Sequence, residues 1–359
     1  MSVTMSDVAR RAGVSLATVS RVINGNYPVA TSTRERVLTA IWDLGYVVNA
    51  HARALVTTST GTVGVILHDP SDPYFGEIIR GVQEVADEHG RFVVMCNSLR
   101  DPNREILAIE MLRSQRVDAV ILAGGYIEDD EYLLVLAEQA RGLRSHGARL
   151  VLCGQVPLHP VRAHAVVPQN AAGAYRITTE LLRLGHRRIA HLTGPPRFST
   201  THERLRGYQG ALEAYGLSPD PALVVSGDFT RDGGLRACTE LLDSGVDFTA
   251  VFAANDMAAV GALAALRERG VAVPDDVSLV GYDDIPLSRD VTPALTTVRV
   301  PMVELGRQAV RLAVEVDADE QSVIRLPTEI VARASVAEPP AQARAPAGGR
   351  RVRRRAAQT

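Results

Sequence analysis

On a helical wheel over "LATVSRVIN" (residues 16–24), Leu16, Ala17, Ser20 and Arg21 fall outward, while Val19, Val22 and Ile23 share the opposite face. The outward set joins one guanidinium and one hydroxyl to two apolar side chains, all turned away from the buried face and free to meet another molecule. The remainder of the chain is poor in patterns for covalent chemistry. No G-x-G-x-x-G follows a strand pattern, and neither G-x-x-x-x-G-K-[ST] nor G-x-S-x-G occurs. His186 and His191 straddle a strand start at a spacing wrong for a shared metal face, and read as structural. Cys96, Cys153 and Cys238 are far apart with no C-x-x-C pair, which fits a reducing cytoplasm without disulfide or zinc. No enzyme activity, metal or cofactor is expected.

The outward face needs a scaffold, and residues 1–47 supply one. Val8, Ala9 and Ala12 line one side of a first short helix, Gly13 permits the tight turn, and Ser15 is a natural N-cap for the second helix. A third helix over residues 31–44, stopped by Gly45, offers Val37, Ile41 and Trp42 as the remaining wall. The result is a helix-turn-helix, a core just large enough to hold one exposed helix at a fixed angle in a DNA major groove. The plainer alternative is a helical hairpin at a domain edge.

Three further segments follow. Residues 48–60 run from a short helix-compatible piece into a Thr/Ser linker. Residues 61–336 repeat an apolar β-rich run and a helix: "TVGVIL", "FVVMC", "VDAVIL", "RLVLC", "RIAHL", "TAVFA" and "VSLVGY" are continuous rather than alternating. Such strands are buried on both faces of a parallel sheet, so a doubly wound α/β body of two lobes is expected. The lobes are placed at about 61–163 plus 293–323, and about 164–292 plus 324–336. Residues 337–359, rich in Pro, Ala, Gly and Arg, read as a disordered basic tail.

Net charge is −2, but residues 1–60 carry +3 and the last twenty residues +6, leaving −11 for the body between them. Basic ends suit a polyanion. The tail could add non-specific DNA affinity by counterion release, or be no more than a solvated end. No run of about 18 apolar residues occurs, so no membrane span is expected, and no secretory h-region opens the chain.

The motifs "DVARRAGVSLATVSRVING", "TRERVLTAIWDLGYVVNAHARAL", "SDPYFGEIIRGVQEVADEHG", "LLRLGHRRIAHLTGP", "ERLRGYQGAL", "FAANDMAAVGAL", "VPDDVSLVGYDDIPLSRDVTPALTTVRVP" and "LPTEIVARAS" occur in order over about residues 5–336. This series resembles the lactose-repressor (LacI) family of bacterial regulators. The resemblance implies an N-terminal three-helix helix-turn-helix domain plus hinge helix, joined to a two-lobed α/β periplasmic-binding-protein-like domain. It also implies a cytoplasmic, nucleoid-associated homodimer on a pseudo-palindromic double-stranded operator, most commonly a repressor, switched by a small carbohydrate.

Carried onto this chain, Leu16, Ala17 and Arg21 would read bases, and Ser15, Thr18, Ser20 and Asn24 would contact phosphates. "NAHARAL" would be a hinge helix docking in the minor groove with Leu55 as apolar wedge, flanked by Asn49, Ala52 and Arg53. Val48 stands where the family usually has Pro. The effector would sit between the lobes, against the rings of Tyr74 and Phe75 and in the polar grip of Arg204, Asn255 and Asp283. Rival roles stay open: Tyr74 and Phe75 could simply begin a helix, Asn255 or Asp256 could be an N-cap, and Asp283 could organise its loop. Asp72, Gly154-Gln155 and Gln169 depart from the family pattern, which points to a different hydroxyl arrangement in the ligand. Two other readings are an α/β enzyme with an incidental N-terminal hairpin and a transport binding protein, the latter needing an export signal.

Overall fold

The computed structural model describes residues 3–24, 27–46, 60–125, 127–316 and 321–341, with Asn24 described by its backbone alone. Helices α1 (Met5–Ala12), α2 (Leu16–Asn24) and α3 (Thr31–Leu44) build the first unit. Thr4 and Asp7 form a reciprocal capping box on α1, and Gly13 ends it at φ 64°. Ser15 caps α2, its Oγ accepting from the Thr18 amide at 3.2 Å. Val8, Ala9, Ala12, Val19, Val22, Val37 and Ala40 form the core. Trp42 does not belong to this wall; it is 87% exposed. Val37, Ala40, Ile41 and Leu44 follow the i, i+3, i+4, i+7 stripe, and Trp42 falls a helical step outside it.

In the body, β1 (Thr62–Leu67), β2 (Phe92–Asn97), β3 (Ala119–Ala123), β4 (Arg149–Cys153), β5 (His164–Pro168) and β11 (Val323–Leu326) form one parallel sheet in the order β11-β5-β4-β3-β1-β2. Helices α4 (Pro73–Glu88), α5 (Pro102–Ser114), α6 (Asp130–Ser145) and α12 (Met302–Val314) accompany it. Gly81 of α4 and Gly306 of α12 let these two helices cross closely. A Cβ on Gly81 would lie 1.9 Å from the Val303 carbonyl oxygen, and one on Gly306 would lie 2.1 Å from that of Ile78.

The second lobe has a parallel sheet of β6 (Ile189–Thr193), β7 (Val224–Ser226), β8 (Ala250–Ala253) and β9 (Ser278–Val280) in the order β7-β6-β8-β9. An antiparallel pair of β10 (Thr297–Arg299) and β12 (Glu329–Val331) joins it through bridges Val280–Thr296 and Asp283–Arg299. Its helices include α7 (Asn170–Arg183), α8 (Ser199–Ala214), α9 (Arg231–Asp243), α10 (Asp256–Glu268) and the short α11 (Leu287–Asp290).

These pairings move the expected lobe boundaries. Residues 164–168 and 323–326 are neighbouring strands of the first sheet, whereas 297–299 lies with the second lobe. The chain therefore crosses between lobes near 169, 300 and 327. An apolar strand carries no local mark of which sheet will claim it.

The segment expected to start a disordered tail is packed at its beginning. The Ala337 carbonyl accepts from Ser278 Oγ at 3.0 Å and faces His186 Nε2 at 2.9 Å, while Pro339 lies against Gly185. Residues 342–359 lie outside the described residues.

Two further features bear on function. Edge strand β2 is not buried on both faces: Phe92 is 76% and Met95 60% exposed. At the entry to the body, the Asp118 carboxylate accepts the Thr60 amide at 2.9 Å and the Gly61 amide at 3.0 Å. The Arg91 guanidinium pairs with the same carboxylate, and Thr60 Oγ1 donates to the Arg116 carbonyl at 3.0 Å.

Candidate functional site

The lobes meet over a narrow cleft with a cavity volume of about 50 Å³. Tyr74, Phe75, Arg204, Asn255 and Asp283 all line it. Tyr74 and Phe75 are delivered from the first lobe by the start of α4, where Asp72 caps the helix by accepting the Tyr74 amide at 3.0 Å and Pro73 occupies the first turn. Their rings meet edge to face with centroids 5.2 Å apart.

The polar side comes from the second lobe. Arg204, on the inner face of α8, donates Nε to Asn170 Oδ1 at 3.3 Å, Nη1 to the Ala254 carbonyl and Nη2 to Asp283 Oδ1 at 2.9 Å. Its guanidinium carbon lies 3.8 Å from the centroid of the Tyr282 ring. Asp283 is held at φ 108°, its amide donating to the Val298 carbonyl at 2.7 Å. Burial pushes its carboxyl up to about 7, with Arg204 opposing that shift.

Asn255 has a second occupation. Its Oδ1 accepts the Ala258 amide at 2.9 Å, capping α10, and its Nδ2 donates to the Phe229 carbonyl at 2.9 Å. Asp256 beside it is deeply buried, accepting from Thr297 Oγ1 at 2.5 Å and the Ile285 amide at 2.9 Å. Burial raises its carboxyl well above the ordinary range.

Sequence reasoning missed His68, Arg100, Asn170, Phe198, Thr200 and Phe229, which also line the cleft. Phe198 precedes α8 and Phe229 lies just before α9, so rings at a strand-to-helix turn recur in both lobes, as in "DPYF". That recurrence was the available signal. Arg100, at φ 60°, stands 3.8 Å from Asp72, close enough to face the cleft while part-neutralised.

The lobes touch at one side of this space. Ile127 bridges Phe198, the Glu128 amide donates to the Arg197 carbonyl at 3.0 Å, and His202 Nδ1 lies 2.8 Å from Glu128 Oε2. A larger hollow lined by Glu110, Arg113, Ser145 and His146 is open surface without an aromatic wall, so the cleft is the better candidate. Among the described residues, no cluster of His, Cys, Asp and Glu is placed to hold a metal ion.

On the first unit, Leu16, Ala17 and Arg21 are exposed on α2. The Arg21 guanidinium stacks 5.5 Å from the centroid of the Tyr27 ring, a partner the sequence reading did not name. Ser15 Oγ lies 2.9 Å from Thr18 Oγ1, and Thr18 and Ser20 are half-buried. The side chain of Asn24, and the whole of Asn49, Ala52, Arg53 and Leu55, lie outside the described residues.

Comparison with known proteins adds a second line. Residues 4–49 match the family of bacterial regulatory proteins called the lacI family, and residues 178–336 match a periplasmic binding protein-like domain. The chain is 39% identical over 314 residues to the HTH-type transcriptional regulator GalS of Salmonella typhimurium, covering 87% of this chain and 89% of that protein. The regulator CelR in complex with cellobiose superposes with a TM-score of 0.69 at 36% identity, covering 93% of this chain and 99% of that one. The lac repressor dimer bound to operator and the anti-inducer ONPF gives a TM-score of 0.80 at 28% identity, covering 94% and 100%.

Proposed function

The chain belongs to the lacI family of bacterial regulatory proteins, and from that premise we propose that it is a homodimeric repressor whose operator affinity is set by a carbohydrate in the interlobe cleft. The observation that carries the effector half is the convergence of Tyr74 and Phe75 from one lobe with Arg204, Asn255 and Asp283 from the other on a single cavity. Rings stack on sugar C–H faces, and the Arg204–Asp283 pair offers fixed donors and acceptors for hydroxyls. A ligand that touches both lobes favours the closed arrangement, and any effect on DNA affinity must act equally in reverse.

For the operator half, Leu16 and Ala17 approach base edges and Arg21 grips a guanine, while Ser15, Thr18, Ser20 and Asn24 hold phosphates. Asn49, Ala52, Arg53 and Leu55 contact the adjacent minor groove, with Leu55 as the apolar wedge. The exposed apolar edge at Phe92, Val94 and Met95, continued by Leu107 and Met111 on α5, is the surface that receives the second copy. A two-fold protein calls for a pseudo-palindromic site in the cytoplasm, where the chromosome lies. Among the described residues no helix is long and apolar enough to cross a membrane.

The test is fluorescence polarisation with pseudo-palindromic duplexes from the neighbouring promoter, with and without a sugar panel ranked by thermal shift. Tight, salt-sensitive binding that a sugar alters supports the reading; indifference to every duplex at low salt ends it.

A further inference from the structure

Behind the cleft lies a buried polar cluster that the proposed function leaves unused. His68 follows β1 and borders the cleft, yet almost all of its surface is covered. Its Nε2 stands 3.2 Å from Glu105 Oε1, on the inner face of α5. Tyr132 of α6 donates its hydroxyl to Glu105 Oε2 at 2.6 Å. The Ser98 hydroxyl lies 3.3 Å from Glu105 Oε1 and 3.4 Å from the Leu67 carbonyl oxygen. Burial, then the Glu105 carboxylate, raise the Tyr132 phenol well above its usual range, so it stays a donor. A carboxylate receiving donors from Tyr132 and Ser98 is a fixed acceptor, and the third group it meets is the imidazole.

The ring itself is placed by packing. It meets Phe75 of its own lobe at 5.6 Å and Phe198 of the other lobe at 5.7 Å, both edge-on. Gly124 leaves the space, since a Cβ there would lie 2.7 Å from the ring. With Nε2 turned to Glu105, Nδ1 is the remaining polar atom, and no hydrogen bond from it occurs among the described residues.

We propose that Glu105 is a positioning residue that holds His68 as the Nε2–H tautomer, leaving Nδ1 as a specificity-determining acceptor for one hydroxyl of a polyol ligand. The tautomer of an imidazole is set by what its other nitrogen bonds, and a carboxylate demands a proton on the nitrogen facing it. The ligand-reading half rests on the carbohydrate reading of the cleft; the tautomer half does not.

The experiment is long-range 1H–15N spectroscopy of the full chain labelled in histidine nitrogen, at pH 8.5, with His68 assigned by His68→Gln. The expected wild-type signature is a protonated Nε2 and a pyridine-type Nδ1. Glu105→Leu, which removes the acceptor, raises the Nδ1–H population several-fold, while Tyr132→Phe, which keeps the carboxylate, retains the Nε2–H form. A wild-type ring in the Nδ1–H form, or in a free-histidine mixture, overturns the proposal even if Glu105→Leu fails to fold. An unchanged ratio in a natively folded Glu105→Leu does the same. Glycerol at 1 M, a minimal polyol, is expected to move Nδ1 more than Nε2; an unmoved Nδ1 removes the recognition half. None of these readouts involves DNA, so they fail independently of operator binding.

Discussion

Arg204 and Asp283 form a 2.9 Å ion pair with only 5% of either side chain exposed, at the floor of a cleft between two lobes. Such a pair contributes little net stability over an apolar substitute, but breaking it strands a buried charge. The expected result for Arg204→Ala is a loss of about 3–5 kcal/mol, read as a thermal midpoint lower by roughly 10 °C. A fall under about 2 °C would mean that Asp283 finds another partner or water.

Asp283 also sets a pH dependence. Folded, its carboxyl is pushed up to about 7 by burial against the opposing influence of Arg204; unfolded, it ionises near ~4. The native state therefore binds the extra proton between those values, so this group's contribution falls as pH rises from about 4 to about 7. Urea unfolding at pH 5 and pH 7.5 should show that decline in the unliganded protein, and Asp283→Asn should flatten it. An identical slope in the variant would assign the decline to another group.

Arg21 should carry sequence preference rather than bulk affinity. Arg21→Ala is expected to weaken the preferred duplex by about 1–3 kcal/mol, or roughly 5- to 150-fold, while leaving non-specific binding nearly unchanged. Equal losses on all duplexes would move Arg21 to the phosphate-contacting set.

Phe92 probes the self-association surface. It is exposed on edge strand β2, as are Val94 and Met95. Phe92→Asp would bury a charge in any interface there, so sedimentation velocity at micromolar protein should shift from dimer to monomer, with weaker operator binding. An unaltered dimer would send the interface to another face.

Much of this was readable from local chemistry. Gly13 and Ser15 mark the turn between α1 and α2 because a positive φ and a cap each favour few residue types. "DPYF" and "ERLRGY" bring their side chains to the cleft because a strand-to-helix turn fixes where they emerge. Phe198 and Phe229 carried only the recurrence of a ring before a helix, and His68 and Arg100 were not legible, since their convergence depends on how two sheets face each other across three crossovers. Trp42 was expected in the wall of the first unit, whereas its helical phase puts it outside. The dual role of Asn255 was visible beforehand as two rival explanations, and the fold satisfies the cap directly with Oδ1.

The Asp118 clamp on Thr60 and Gly61 has a mechanical meaning. Because two consecutive amides are pinned to the rim of the first sheet, the body end of the linker has no slack. A rotation of that lobe carries residue 60 with it, like a shaft keyed to its wheel.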